Sequence, residues 1–277
     1  MWEQRFIETT RGVFELFECG EGAPIAITHL YSAFDERGYA FASPFTEHYK
    51  VFLINLRGAG NSVKAEYEDQ YSLDETVLDL ESIRLALNLE KWAFAGHSTG
   101  GMLALKYAIL KPSSLDKIIA GGAAASVEYG EDPLSIYCPQ NLNYERIIEI
   151  MDSLNDGQTP IEERRKMSKE WALMSFYREE SLDKSYARPN SGRTVGERLT
   201  YFGAVECQSY DLRKELPNVQ VQAYIYAGKY DAQCPYKFGV EIAELLPQAT
   251  FITFEESNHF PYFEEEEMFN LFVENSQ

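Results

Sequence analysis

Gly96-His97-Ser98-Thr99-Gly100 joins a short apolar run, residues 91–95, to a stretch of helical character that begins at Gly101. A serine hydroxyl at the tip of a strand-to-helix turn is the arrangement that presents a nucleophile for acyl transfer. The turn is so tight that its flanking residues must be small, and Gly96 and Gly100 meet that demand. The helix start beneath Ser98 offers unpaired N–H groups and a partial positive charge to a developing oxyanion.

A serine hydroxyl is a weak nucleophile at neutral pH. It needs a base to take its proton, and the base needs an orienting acid. The chain has four histidines, His29, His48, His97 and His259. His97 lies inside the turn with its side chain expected to point away from Ser98, and His48 lies in a surface-like segment. His259 follows the predicted strand Ala249–Phe254, and a loop at a strand's C-terminal end is where a base belongs on an open α/β sheet. Asp231 lies just past a second predicted strand, 221–227. The chain order is therefore Ser98, Asp231, His259: nucleophile, acid, base. Glu128 is the alternative orienter, and Cys234 is read as a packing residue near Asp231.

The elements that must hold these residues follow from hydrophobic spacing. Strands are expected at 4–9 and Gly12–Cys19, as a hairpin, then at 24–29, 50–56, 91–95 and Leu115–Gly121. Ser72 with Glu75 forms a capping box, and Val77, Leu80, Ile83 and Leu87 follow at helical spacing. Lys111-Pro112 ends the helix after Ser98. Strands alternating with helices predict a mostly parallel sheet with helices on both faces. From 123 to 205 the strand signals fade, so residues 123–205 are expected to form an inserted helical cap, with 1–122 and 206–277 as the core. Its helices are placed at 143–154 and 161–179, before a polar loop at 188–192.

At 277 residues the chain is long enough for one large domain with an insertion. Its net charge of −19, from 25 basic and 44 acidic residues, argues against nucleic acid or an anionic membrane as partner. No apolar stretch approaches the ~20 residues of a membrane span. Met1-Trp2-Glu3-Gln4-Arg5 does not read as a signal peptide. Cys19, Cys138, Cys207 and Cys234 are scattered and are expected to be free thiols of a cytoplasmic protein. The run Glu264-Glu265-Glu266-Glu267 opens the last helix and reads as a solvated capping face. No dinucleotide or phosphate loop and no metal-ligand spacing is present, so no cofactor and no metal are expected.

Four motifs in order resemble the α/β-hydrolase family over nearly the whole chain. Gly96–Gly100 is similar to its nucleophile turn. Asn55-Leu56-Arg57-Gly58-Ala59-Gly60-Asn61-Ser62 is similar to its D-x-R-G-x-G-x-S turn, with Asn55 where Asp is usual. Gly228-Lys229-Tyr230-Asp231 and Ser257-Asn258-His259 are similar to its acid and base loops. The resemblance implies an α/β-hydrolase fold with a helical cap, and a triad of Ser98, His259 and Asp231. It also implies an oxyanion hole from the backbone N–H groups of Thr99 and Tyr31. Tyr31 is reached through His29-Leu30-Tyr31-Ser32, where the family's loop begins His-Gly and Leu30 replaces the glycine.

The expected substrate is a small molecule or short peptide. In a first reading the chain hydrolyses a small carboxylic ester, lactone or amide, with Leu30, Trp171, Met174 and Phe176 against the acyl group. In a second it is a proline iminopeptidase, whose acid and base loops these resemble. That subgroup's H-G-G-P-G loop is absent at His29–Ala33. Its W-x-x-W-E pattern, which supplies a glutamate for the substrate amine, falls on Trp171-Ala172-Leu173-Met174-Ser175, leaving Glu170 or Glu206 as substitutes. A third reading is a non-catalytic ligand receptor or scaffold.

Overall fold

The computed structural model describes residues 1–155 and 159–277. Its main sheet contains β1 (Glu3–Thr9), β2 (Gly12–Cys19), β3 (Ala23–Ile27), β5 (Tyr49–Ile54), β6 (Trp92–His97), β7 (Leu115–Gly121), β9 (Gln222–Gly228) and β10 (Ala249–Phe254). The spatial order is β1-β2-β5-β3-β6-β7-β9-β10. The β1–β2 and β2–β5 pairs are antiparallel, and every later pair is parallel. A two-residue β4 (Ser32–Ala33) pairs outside this sheet with β8 (Arg193–Thr194).

The central strands are apolar on both faces, as a sheet covered on both sides requires. Ala26, Phe52, Ile54, Trp92, Phe94, Ile118 and Ala120 point into one core layer with α1 (Leu73–Ala86), α2 (Thr99–Leu110) and α7 (Tyr236–Leu245). Ile25, Ile27, Val51, Leu53, Ala93, Ala95 and Ile119 alternate with them. They face a second layer built on Phe41, Phe45 and α9 (Glu266–Glu274), which follows the one-turn α8 (Pro261–Glu264). Ser72 Oγ accepts from Glu75 N at 3.1 Å and caps α1 as the sequence predicts.

Several strand ends differ by one or two residues from the spacing-based expectation, and two of these differences shape the site. β3 stops at Ile27, two residues short, because Thr28 turns and donates through its hydroxyl to Ile54 O (2.8 Å). β6 runs on to His97 because Gly96 and His97 still pair with Ala120 and Gly121.

Between β7 and β9 the chain inserts α3 (Tyr144–Asn155), α4 (Ile161–Met174), α5 (Glu179–Tyr186) and α6 (Gly196–Ala204). Of the 123–205 stretch, positions 156–158 lie outside the described residues. The expected helix over 161–179 breaks after Met174. There the carbonyls of Met174 and Ser175 are taken by Asn258 Nδ2 (3.2 Å) and His259 N (3.1 Å), so they are drawn into contacts with another loop. Arg198 of α6 anchors the insertion. Its guanidinium is buried and donates to Arg57 O (3.1 Å) and Thr76 Oγ1 (2.9 Å), with no carboxylate among these acceptors. Burial pulls its pKa down to about 10.

Candidate active site

Ser98 sits between β6 and α2 with φ 57° and ψ −125°, a conformation that costs a non-glycine residue free energy and persists only where its surroundings impose it. The surroundings here are close-packed backbone. A Cβ on Gly96 would lie 2.0 Å from Gly100 O, and one on Gly100 would lie 2.5 Å from Thr28 O. Ser98 N donates to Gly121 O at 2.8 Å, which ties the turn to the end of β7.

Asp231 and His259 are buried and meet directly. His259 Nδ1 donates to Asp231 Oδ2 at 2.9 Å, with Oδ1 at 3.0 Å. Asp231 Oδ1 also accepts from Gln233 N (2.9 Å) and Cys234 N (2.8 Å), so the carboxylate is held by its own loop. The imidazole's hydrogen bonds go to Asp231, and none reaches Ser98 among the described residues. The two loops nevertheless converge at the end of β7: a Cβ on Gly122, next to the Gly121 carbonyl that holds Ser98, would lie 3.0 Å from His259 Cε1. Glu128 is exposed and paired with Arg213 at 2.7 Å. Burial, with Asp231 next in effect, raises the Cys234 thiol well above its ordinary pKa, so it remains an uncharged packing group.

Two further histidines crowd this centre. His97 lies in the core with Nδ1 2.9 Å from Tyr226 Oη and its ring 4.6 Å from that of His259. Burial holds it well below its ordinary pKa. Sequence spacing did not single out His29, yet its Nε2 lies 3.3 Å from Thr99 Oγ1, on the residue after Ser98, and its Nδ1 lies 3.0 Å from Ser32 Oγ. Burial, then the neighbouring His259, lowers its pKa to about 3, so His29 is neutral at ordinary pH. Its place at the C-terminal end of the expected strand 24–29 was the available signal.

The loop that carries Tyr31 is gripped from two sides. Val195 N donates to Tyr31 O at 2.8 Å beside the β4–β8 pair, and Ala40 N donates to Asn190 Oδ1 at 2.8 Å. From the core, Asn55 Oδ1 accepts from Phe34 N (2.7 Å) while its Nδ2 donates to Phe34 O (3.0 Å). Burial raises the Tyr31 phenol to about 12. Leu30 packs inside the main core layer.

Of the insertion residues, Phe176 packs on Phe260 and Phe263, with ring centroids 5.1 and 6.0 Å away. Met174 is half-buried and offers its carbonyl to Asn258. Trp171 is half-buried, with its Nε1 buried and unpartnered among the described residues. The two glutamates considered for a substrate amine are engaged elsewhere. Glu170 takes Arg146 bidentately at 2.7 and 2.6 Å, and Glu206 accepts Leu73 N at 2.9 Å. Among the described residues no His/Cys/Asp/Glu group has the geometry to hold a metal ion, and no helix is long and apolar enough to cross a membrane.

A mostly parallel eight-stranded sheet, a strained serine turn after its central strand, and an Asp–His pair on the loops after β9 and β10 define a hydrolase architecture. Residues 30–266 match the family model described as alpha/beta hydrolase fold, and the chain belongs to that family. Over its whole length it is similar to the structure of an alpha/beta fold family hydrolase from Bacillus anthracis str. Sterne, at 54% identity and a TM-score of 0.99, covering 100% of both chains. It is 26% identical to a proline iminopeptidase from Heyndrickxia coagulans, over 96% of each chain. An esterase from Exiguobacterium antarcticum shares the fold at a TM-score of 0.73 and 24% identity, over 99% of each chain.

Proposed function

We propose that this hydrolase cleaves small carboxylic esters, lactones or amides through an acyl-enzyme formed on Ser98, with residues 123–205 as a cap over the site. The observation that carries the reading is the buried Asp231–His259 pair converging with the strained Ser98 turn at the end of β7. Ser98 Oγ attacks the carbonyl carbon as His259 Nε2 takes its proton. Asp231, bonded to Nδ1, holds the tautomer that leaves Nε2 free to accept and stabilises the imidazolium. The carbonyl oxygen, now an oxyanion, accepts from the backbone N–H groups of Thr99 and Tyr31, each worth about 3–4 kcal/mol in sites of this kind. His259 returns the proton to the leaving group. Water then repeats the sequence on the acyl-enzyme and frees Ser98.

The ester reading is preferred to N-terminal proline release, although a proline iminopeptidase is among the relatives. Release of an N-terminal residue calls for a carboxylate facing the substrate amine, and Glu170 and Glu206 are both committed to other donors. The free state of Cys19, Cys138, Cys207 and Cys234 supports a cytoplasmic setting.

Labelling with a fluorophosphonate probe tests the proposal, with Ser98→Ala as control, followed by paired assays on short p-nitrophenyl esters and proline p-nitroanilide. Labelling that disappears in the variant, with turnover of the esters, is the expected result. Turnover confined to the anilide would favour the iminopeptidase. Folded protein that resists the probe would leave the receptor or scaffold reading.

A further inference from the structure

Within the run Glu264–Glu267, Glu267 is exposed, but Glu264 and Glu265 are half-buried and hydrogen-bonded to neighbouring loops, unlike the solvated face the composition suggests. Glu264 closes α8, and the single turn begun at Pro261 carries its carboxylate back onto the loop that precedes it. Its Oε2 accepts from Asn258 N at 2.7 Å, one residue before His259. Its Oε1 accepts from Tyr177 N (2.6 Å) and Arg178 N (3.2 Å), both in the break between α4 and α5. Glu265 completes the hold on the same loop, with Oε2 accepting from Glu256 N (3.0 Å) and Ser257 Oγ (2.6 Å). Glu266 pairs with Arg188 of the insertion without touching the His259 loop.

These contacts converge where the proposed base must be held. Asn258 Nδ2 donates to Met174 O, its Oδ1 accepts from Ala232 N (2.8 Å), and His259 N donates to Ser175 O. The loop carrying His259, the loop carrying Asp231 and the break in the inserted helices are thus joined around one carboxylate. Burial is the main cause that brings the Glu264 carboxyl up to about 7, and the backbone donors oppose it.

We infer that Glu264 is a positioning residue for His259, clamping its loop to the broken helix of the cap; the catalytic half of this inference rests on the triad proposed above. Only an acceptor on both carboxyl oxygens serves the donors on its two sides. Glutamine keeps one acceptor and turns an N–H₂ group toward the other side.

The test uses the full chain and compares Glu264→Gln and Glu264→Ala with Glu266→Gln, which breaks a cap ion pair away from His259. Two readouts are needed: amide hydrogen exchange over 254–260 and 174–178, and fluorophosphonate labelling resolved into kinact and KI. The expected result is faster exchange in both segments and kinact lower by roughly ten- to hundredfold, with KI nearly unchanged and Glu266→Gln like wild type. Should Glu264→Ala fail to fold, Glu264→Gln carries the comparison. Unchanged exchange in the folded variants would overturn the clamp. Unchanged kinact, or an effect confined to KI, would overturn the positioning role. Wild-type protein that does not label would refute the triad and not the clamp, which the exchange data decide by themselves.

Discussion

Asn55 Nδ2 donates to Glu15 Oε2 at 2.7 Å in the interior of the protein. Glu15 is a buried carboxylate served by neutral donors: Gln4 Nε2 (2.6 Å), Asn61 N (2.8 Å) and Asn61 Nδ2 (2.7 Å) as well as Asn55. Burial alone would raise its pKa, but these hydrogen bonds outweigh burial and leave it lowered and ionised. An aspartate at 55, usual in the resembled motif, would set two carboxylates against each other. Asparagine also bonds both the N–H and the carbonyl of Phe34, so the same side chain steadies the loop that follows Tyr31.

Asn55→Asp is accordingly expected to destabilise the protein by about 2–4 kcal/mol at pH 7, since it replaces a donor with a like charge and orphans Phe34 O. Urea unfolding checks the value. Adding Glu15→Gln should recover much of the loss, and a double variant no better than Asn55→Asp alone would contradict the charge argument.

Ser98→Ala is expected to lower turnover by on the order of a millionfold, and Asp231→Asn by about ten-thousandfold through the wrong imidazole tautomer. Both variants should unfold at urea concentrations close to wild type. Retention of a few per cent of activity in Ser98→Ala would dismiss Ser98 as the nucleophile.

Acid should weaken the fold through its buried neutral histidines. His29 titrates at about 3 in the folded chain and at about 6.5 unfolded. Its contribution is therefore complete above about 6.5 and is lost as pH falls toward 3, with the unfolded state taking up the proton. Glu264 works in the opposite sense: its raised carboxyl favours the folded state below about 4.5 and loses that advantage as pH rises through about 7. Comparing wild type with His29→Gln isolates the first effect. The stability difference between them should shift by about 2 kcal/mol in favour of the variant from pH 7 to pH 5, and parallel pH profiles would rule out a buried neutral His29.

Gly100→Ala tests the backbone approach beneath the serine turn. The new Cβ would meet Thr28 O at 2.5 Å, so β3 and α2 must separate. A destabilisation of about 2–3 kcal/mol is expected from overpacking of this kind, together with loss of probe labelling. Thermal unfolding within a degree of wild type would show that the approach is looser than described.

Local sequence signals carried much of this architecture. Short continuous apolar runs located the central strands, because a strand whose side chains alternate into two buried layers is apolar on both faces whatever its partners are. Ser98, Asp231 and His259 stood out because each lies where a strand ends and the chain must turn. The chain could not disclose that His29 faces Thr99, since seventy positions separate them and only the adjacency of β3 and β6 brings them together. The helix expected over 161–179 breaks for the same reason: its residues favour helix, but distant donors on Asn258 and His259 claim its carbonyls.

Sequence by itself thus determined the strand pattern, the tight turn at Ser98 and the order of the loops that carry Asp231 and His259, all properties of residues close along the chain. Tertiary structure decided which carboxylates stay solvated and which are enclosed. Glu264 and Glu267 are the same residue type in one run, and only packing against Tyr177, Arg178 and Asn258 sets Glu264 apart. Charge composition is a sum over the chain, whereas burial and hydrogen bonding depend on which backbone donors the fold delivers to each carboxylate.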